Sequence, residues 1–208
     1  MWFPILITVL VGYLLGNLNG AVLMSSLLAH EDVRQQGSGN AGLTNFARNY
    51  GGLGSVAVLA IDGVKAALAC LAGGLMLIPY GLYLEGTAIG GLAVMAGHDF
   101  PALLGFKGGK GILSGAVIAF VVDWRVGLLV LGVFALLYLT TQYVSLGSVF
   151  GSVGFAVGFA VLHWDNPVVA ICGVVMGALA VFMHRGNIRR LLQGKERKTN
   201  LFKKGSKK

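Results

Sequence analysis

The sequence predicts an all-α fold, a polytopic transmembrane helical bundle of about seven spans. Three observations predict it. Of 208 residues, 56% are hydrophobic and 12% charged, with a mean hydropathy of +0.78, too little charge to clothe a soluble globule of this size. The apolar residues fall in long runs, without the short alternating strands that a polar-lined barrel needs. Thirty-three glycines against four prolines suit helices packed closely in lipid, where small residues let backbones approach.

In chain order, residues 2 to about 28 form a first span, interrupted by Gly16-Asn17-Leu18-Asn19-Gly20. Asn17 and Asn19 need partners in lipid and so face other helices, as interhelical hydrogen bonds or as pocket lining. The segment lacks a basic leader and its apolar run exceeds a signal-peptide core, so it should be retained. A polar loop over 30–50 follows, in which Leu43 to Asn49 predicts a short interfacial helix. The second span, about Gly51 to Ile78, carries Asp62 and Lys65 on one face, either as a buried ion pair or as the floor of a cleft. A turn at Pro79-Tyr80-Gly81 precedes the third span, about Leu82 to Gly97. The fourth starts near Ile112 and ends at Asp123; the fifth covers about Val126 to Leu139, the sixth about Leu146 to Leu162 and the seventh about Pro167 to Met183.

The net charge of +8 resides in the tail: residues 184–208 hold ten Lys/Arg and one acid, Glu196. A basic tail beside a membrane predicts a cytoplasmic end and attraction to anionic lipid, not nucleic-acid binding. Seven spans then put the amino terminus outside. On that topology the loops 30–50, 97–111 and 140–148 fall on the same cytoplasmic face as the tail, whereas the outer turns contain only Arg125 as a Lys/Arg residue. Every Gly/Ser/Asn/Lys-rich segment is therefore expected to meet on one face. Cys70 and Cys172 lie in separate apolar spans and predict neither a disulfide nor a metal site.

The chemistry centres on Gly97–Gly111. Lys107 and Lys110 stand among Gly105, Gly108, Gly109 and Gly111, where glycines let N–H groups wrap an anion and lysines neutralise it. The spacing is not that of a nucleotide-binding P-loop, because no hydroxyl follows Gly-Lys. The loop 30–50 adds Gly37-Ser38-Gly39-Asn40, Thr44 and Arg48, a mixture of donors suited to phosphate. In the tail, His184 and Asn187 share a helical face while Arg189 and Arg190 turn toward headgroups, and Lys198 to Lys208 read as a flexible basic extension.

Taken together, Gly37–Arg48, Asp62–Lys65, Gly97–Gly111, Tyr143–Ser148 and His184–Glu196 resemble, in order and over nearly the whole chain, the bacterial membrane glycerol-3-phosphate acyltransferase family that uses acyl phosphate. Asn17 and Asn19 stand where that family usually has Ser-Ile-Pro, and Ala66, Ser114 and Gln142 also depart from its pattern. The resemblance implies a membrane catalytic domain over 1–183 and a cytoplasmic basic tail over 184–208. It implies transfer of a fatty acyl group from acyl phosphate to the 1-hydroxyl of glycerol 3-phosphate in the bacterial inner membrane, giving lysophosphatidic acid and phosphate. No metal or cofactor is implied, and a monomer suffices. Enzymes using acyl-CoA place an Asp four residues after a His; here Arg34, Ala102, Pro167 and Ile188 stand at that distance.

On this reading Ser38, Gly39, Asn40, Thr44 and Arg48 hold one phosphate, while Lys107, Gly108, Gly109 and Lys110 hold the other or the developing oxyanion. His184, Asn187, Ser145 and Ser38 form the catalytic set, with His184 as general base or as a hydrogen-bond partner; Asp62, Lys65, His98 and Glu196 support them. The alternative from another class is a transporter or channel for a phosphorylated metabolite, which would place polar groups at mid-membrane and on both faces.

Overall fold

The computed structural model describes residues 2–199, and among them the chain is helical without strands. The helices are α1 (Trp2–Asn17), α2 (Gly20–Ala29), α3 (Leu43–Asn49), α4 (Gly52–Leu77), α5 (Tyr83–Asp99), α6 (Ile112–Val122), α7 (Trp124–Thr141), α8 (Val144–Leu162), α9 (Pro167–Met183) and α10 (Arg185–Leu192). Among the described residues, five helical stretches are long and apolar enough to cross a membrane, the first being α1 with α2; α9 with α10, bent by 54°, makes a sixth if the pair is counted as one span, and α6 is a shorter apolar helix.

The expected interruption of the first span is a true break. Asn19 leaves the helix and caps α2, accepting from Val22 N at 3.0 Å, while its amide donates to the Ala41 carbonyl at 3.0 Å. Asn17 closes α1 and accepts from Leu103 N–H at 3.0 Å. Both asparagines therefore bind distant backbone, tying the break to the loops beyond it. α9, expected as the last span, ends with a bend at His184, after which α10 follows with Asn187 buried and Leu192 exposed.

α5 is the central element, packed against α1, α4, α6 and α9. Its glycines allow that: a Cβ on Gly97 would stand 2.2 Å from the Tyr13 carbonyl oxygen, and one on Gly86 2.2 Å from that of Gly73. The core between the helices is built from Cys70, Val94, Ile118, Phe155 and Met176, with leucines and valines facing outward as a lipid-facing surface requires. At one end of the bundle Asp123 accepts from Arg125 and pairs with His163 Nε2 at 3.0 Å. The four motif segments meet at the other end, as expected: Arg34 reaches Leu104 O, Lys110 reaches Asn187, and Ser145 reaches Glu196.

These close crossings carry a direct test. Gly73→Ala drives a Cβ to 2.2 Å from the Gly86 carbonyl oxygen, a backbone atom that cannot swing aside, and should lower stability in detergent by about 1–3 kcal/mol. Gly132→Ala, whose Cβ would meet nothing within 4 Å, should leave the unfolding midpoint unchanged or raised. Equal midpoints for the two variants would contradict the packing of α4 on α5.

Candidate functional site

The site rests on a charge buried in the bundle. Asp62 and Lys65, one helical turn apart on α4, form an ion pair of 2.7 Å with side chains 2% and 3% exposed. The break between α1 and α2 frees backbone carbonyls that intrahelical bonding would otherwise engage, and Lys65 Nζ donates to two of them, Gly16 O at 3.3 Å and Leu18 O. It also lies 2.9 Å from His98 Nδ1. An ammonium can only donate, so Nδ1 is the acceptor and the His98 proton sits on Nε2. Asp62 in turn accepts from Gly20 N–H at 3.1 Å. Asp62 and Lys65 thus form the buried ion pair, the first of the two alternatives, and through His98 they touch the end of α5 on which the loop 105–111 folds.

That loop folds directly onto the end of α5. Gly108 N–H donates to Asp99 O at 3.2 Å and Gly109 N–H to His98 O at 3.0 Å. A Cβ at either position would lie 2.0 Å from His98, at its carbonyl oxygen for Gly108 and at Nε2 for Gly109. The expectation that these glycines wrap an anion with their N–H groups is corrected here: the two N–H groups are engaged by α5, and the glycines serve close approach. Gly111 sits in the left-handed region, φ 65°, and turns the chain into α6.

The loop sends its two lysines to different places. Lys107 lines an open surface pocket of about 420 Å³ with Asp32, Arg34, Gln35, Gly39, Leu104 and Gly105. Lys110 turns inward to the Asn187 amide oxygen. Burial, reinforced by Arg190, Arg48 and Arg185, pushes its ammonium down to about 8.

Around Lys110 the other motifs close. Glu196 accepts from Ser145 Oγ at 2.9 Å and Asn187 Nδ2 at 2.8 Å through one oxygen, and from Arg190 Nε at 2.7 Å through the other. Burial works to raise the Glu196 carboxyl, and these three hydrogen bonds outweigh it and hold the group below its ordinary range. His184 is buried, and its Nδ1–H donates to Ala180 O at 2.8 Å, which leaves Nε2 as the acceptor. Arg48 reaches Thr199 Oγ1 and Lys198 lies over the Tyr143 ring, so the extension expected from Lys198 onward begins with two residues held against the site. Residues 200–208 of that expected extension lie outside the described residues.

Ser38 is exposed at the rim, its N–H held by Asn45 Oδ1 at 2.9 Å. The N–H of Gly39 donates to Gln36 O, and the Asn40 carbonyl accepts from Gly42 N–H and Asn45 Nδ2. Thr44 is half-buried in α3. The sequence reading missed Asn45, whose amide also donates to Val33 O and Gln36 O and so shapes the whole loop. It also missed Arg34, which Asp32 holds while it donates to the Leu104 and Lys107 carbonyls, joining two motif loops.

A narrow apolar groove with a free volume of about 30 Å³ lies among α5, α6, α7, α8 and α9, walled by Met95, Gly115, Phe134, Gly147, Gly151 and Gly177. Its two serines, Ser148 and Ser152, donate to helix carbonyls at 2.9 and 2.8 Å and so present little polarity to it. Gly111, Ser148 and Ala180 belong to the same lining, so the groove adjoins Lys110, Ser145 and His184.

The sequence model of a family described as glycerol-3-phosphate acyltransferase matches residues 6–194. A glycerol-3-phosphate acyltransferase of Thermoanaerobacter sp. (strain X514) is 38% identical over 192 residues, covering 92% of this chain and 94% of that protein. One of Clostridioides difficile (strain 630) is 37% identical over 202 residues, covering 94% and 96%. The fold is similar to crystal structures of PlsY, an integral membrane glycerol 3-phosphate acyltransferase. Its glycerol 3-phosphate form has a TM-score of 0.84 at 31% identity, covering 96% of this chain and 99% of that one. Its lysophosphatidic acid form has a TM-score of 0.80 at 31% identity, covering 94% and 95%.

Lys65→Met should cost about 3–5 kcal/mol, because it strands the Asp62 carboxylate without its cation. The double variant Asp62→Asn with Lys65→Met removes both charges and should recover part of that loss in a detergent unfolding measurement. A double variant no more stable than Lys65→Met alone would show that the pair is not the source of the effect.

Proposed function

The chain belongs to the glycerol-3-phosphate acyltransferase family, and from that premise we propose that it moves a fatty acyl group from an acyl phosphate to the 1-hydroxyl of glycerol 3-phosphate. The products are lysophosphatidic acid and inorganic phosphate. One observation carries the reading: a narrow apolar groove lined by Gly111, Ser148 and Ala180 lies next to Lys110, Ser145 and His184. A fatty chain that widens this groove as it enters brings its acyl phosphate head among the polar groups, on the face where the sequence topology puts the cytoplasm. The inner membrane of a bacterium is the corresponding location.

Two anion-receptive places suit two phosphorylated substrates. The pocket lined by Gly39 and Lys107, with Ser38 and Thr44 in the adjoining loop, opens to water, the side from which glycerol 3-phosphate arrives. Lys110, Asn187 and Ser145, linked through Glu196, form the second, with Arg48 nearby. Oxygen O1 of glycerol 3-phosphate attacks the acyl carbonyl, charge develops on the carbonyl oxygen, and the bond to the phosphate oxygen breaks with the electron pair leaving on phosphate. The mixed anhydride is already activated, so positioning and charge stabilisation supply the acceleration and no cofactor is called on. His184 Nε2, left as an acceptor by the bond to Ala180, orients the attacking hydroxyl, and the departing phosphate takes the proton. All of these groups come from one chain, so a monomer is sufficient.

The deciding assay uses purified protein in detergent with radiolabelled glycerol 3-phosphate and either palmitoyl phosphate or palmitoyl-CoA. Labelled lipid is expected only with palmitoyl phosphate. Lipid formed from palmitoyl-CoA alone would overturn the donor, and solute flux in vesicles without lipid would favour a transporter.

A pH dependence follows from Lys110. Its charged form is the one that attracts phosphate, so kcat/KM should fall as pH rises through about 8, where the free enzyme loses that proton. A bound phosphate dianion raises the same group, so kcat should decline only at higher pH. Lys110→Arg should move the alkaline limb of kcat/KM upward. An unmoved limb would assign it to another group.

A further inference from the structure

The described part of the tail ends on a residue that no expectation placed in the site. Thr199 is buried and is held from three sides. Its N–H donates to Gln142 O at 2.9 Å, and its carbonyl accepts from Tyr138 Oη at 3.0 Å. Its hydroxyl oxygen accepts from Arg48 Nη2. Gln142 closes α7 in the left-handed conformation, φ 62°, just before α8 brings in Ser145. The two backbone bonds therefore pin Thr199 to a rigid corner of the bundle, and the side chain carries that rigidity across to α3.

The hydroxyl is the only hydrogen-bond partner of the Arg48 guanidinium among the described residues. The chemistry of that partner matters. Arg34 and Arg125 are held by carboxylates, which fix a guanidinium and neutralise it together. A hydroxyl fixes it without forming an ion pair, and Glu196 acts on it only through space, so its N–H groups remain to meet an incoming anion. A free arginine would instead lose rotamer entropy on capturing a phosphate.

We propose that Thr199 is a positioning residue for Arg48, holding in place, for a phosphate group of the substrates, a guanidinium that no carboxylate hydrogen-bonds. The assignment makes the segment Glu196–Thr199 a part of the active site. Glu196 orients Ser145 and Asn187 from one end, and Thr199 orients Arg48 from the other. It rests on the acyl-transfer reading above for the identity of the anion.

The test uses the full chain with Thr199→Val, which keeps shape and both backbone bonds but removes the hydroxyl, and Thr199→Ser, which restores it. Thr199→Val should raise KM for one phosphorylated substrate about five- to tenfold with kcat within about twofold, and Thr199→Ser should return KM to within about twofold of wild type. In parallel, phenylglyoxal labelling of the Arg48 peptide, followed by mass spectrometry, should be faster in Thr199→Val than in wild type or Thr199→Ser. Unchanged KM values and unchanged labelling in Thr199→Val would overturn the proposal, as would a loss confined to kcat. If wild type forms no lipid from either donor, the acyl-transfer reading fails by itself, and the labelling rates still decide whether Thr199 holds Arg48.

Discussion

A single ammonium group inside the bundle sets the architecture of the site. Lys65 lies where water cannot solvate it, and a charge so placed persists only if the protein supplies a counter-ion and enough acceptors. Asp62 is the counter-ion, while His98 and the carbonyls of Gly16 and Leu18 are the acceptors. Those carbonyls are available only because α1 stops and α2 restarts. The broken first span, the histidine on α5 and the acidic residue on α4 are therefore three parts of one requirement.

The glycine loop inherits its position from that requirement. His98, oriented through Nδ1 by Lys65, occupies the space where Gly109 has no side chain, and the carbonyls of His98 and Asp99 hold the loop from below. Lys107 and Lys110 diverge because the intervening pair is pressed flat against α5. Neutralising the pair would thus act on the loop through His98.

Much of this was legible in the sequence, for identifiable reasons. Helix periods and long apolar runs located α4 to α9 closely, and charge sorting put the motif loops together. The polar break at Asn17 to Asn19 was visible, but a carbonyl that it frees has no signature in a string of letters. The glycines of 105–111 were recognised, yet composition cannot tell a glycine that offers its N–H from one that makes room for a histidine ring. Asn45, Arg34 and Thr199 were invisible because their roles are bonds to backbone or to a distant hydroxyl, and such bonds impose no spacing. The tail was read as an extension on its charge, whereas Thr199 is placed by Tyr138 and Gln142, far away in sequence.

The partners of the cations divide the molecule in two. Lys65 is matched by Asp62, Arg34 by Asp32, Arg125 by Asp123 and Arg190 by Glu196. These pairs are internally neutral and local in sequence. Arg48 and Lys110 are held instead by uncharged oxygens, the Thr199 hydroxyl and the Asn187 amide, and Lys107 lines an open pocket. A chain that only needed to fold would gain by neutralising these as well, since unmatched positive charges close together repel one another. Lys110, pushed down by burial and three neighbouring arginines, shows the strain of leaving them so. Glu196 is the carboxylate near both Arg48 and Lys110, and it hydrogen-bonds Ser145, Asn187 and Arg190 rather than either of them. Under the proposed function, a doubly charged phosphate would meet two positioned cations without having to displace a hydrogen-bonded carboxylate from either, which accounts for leaving them so.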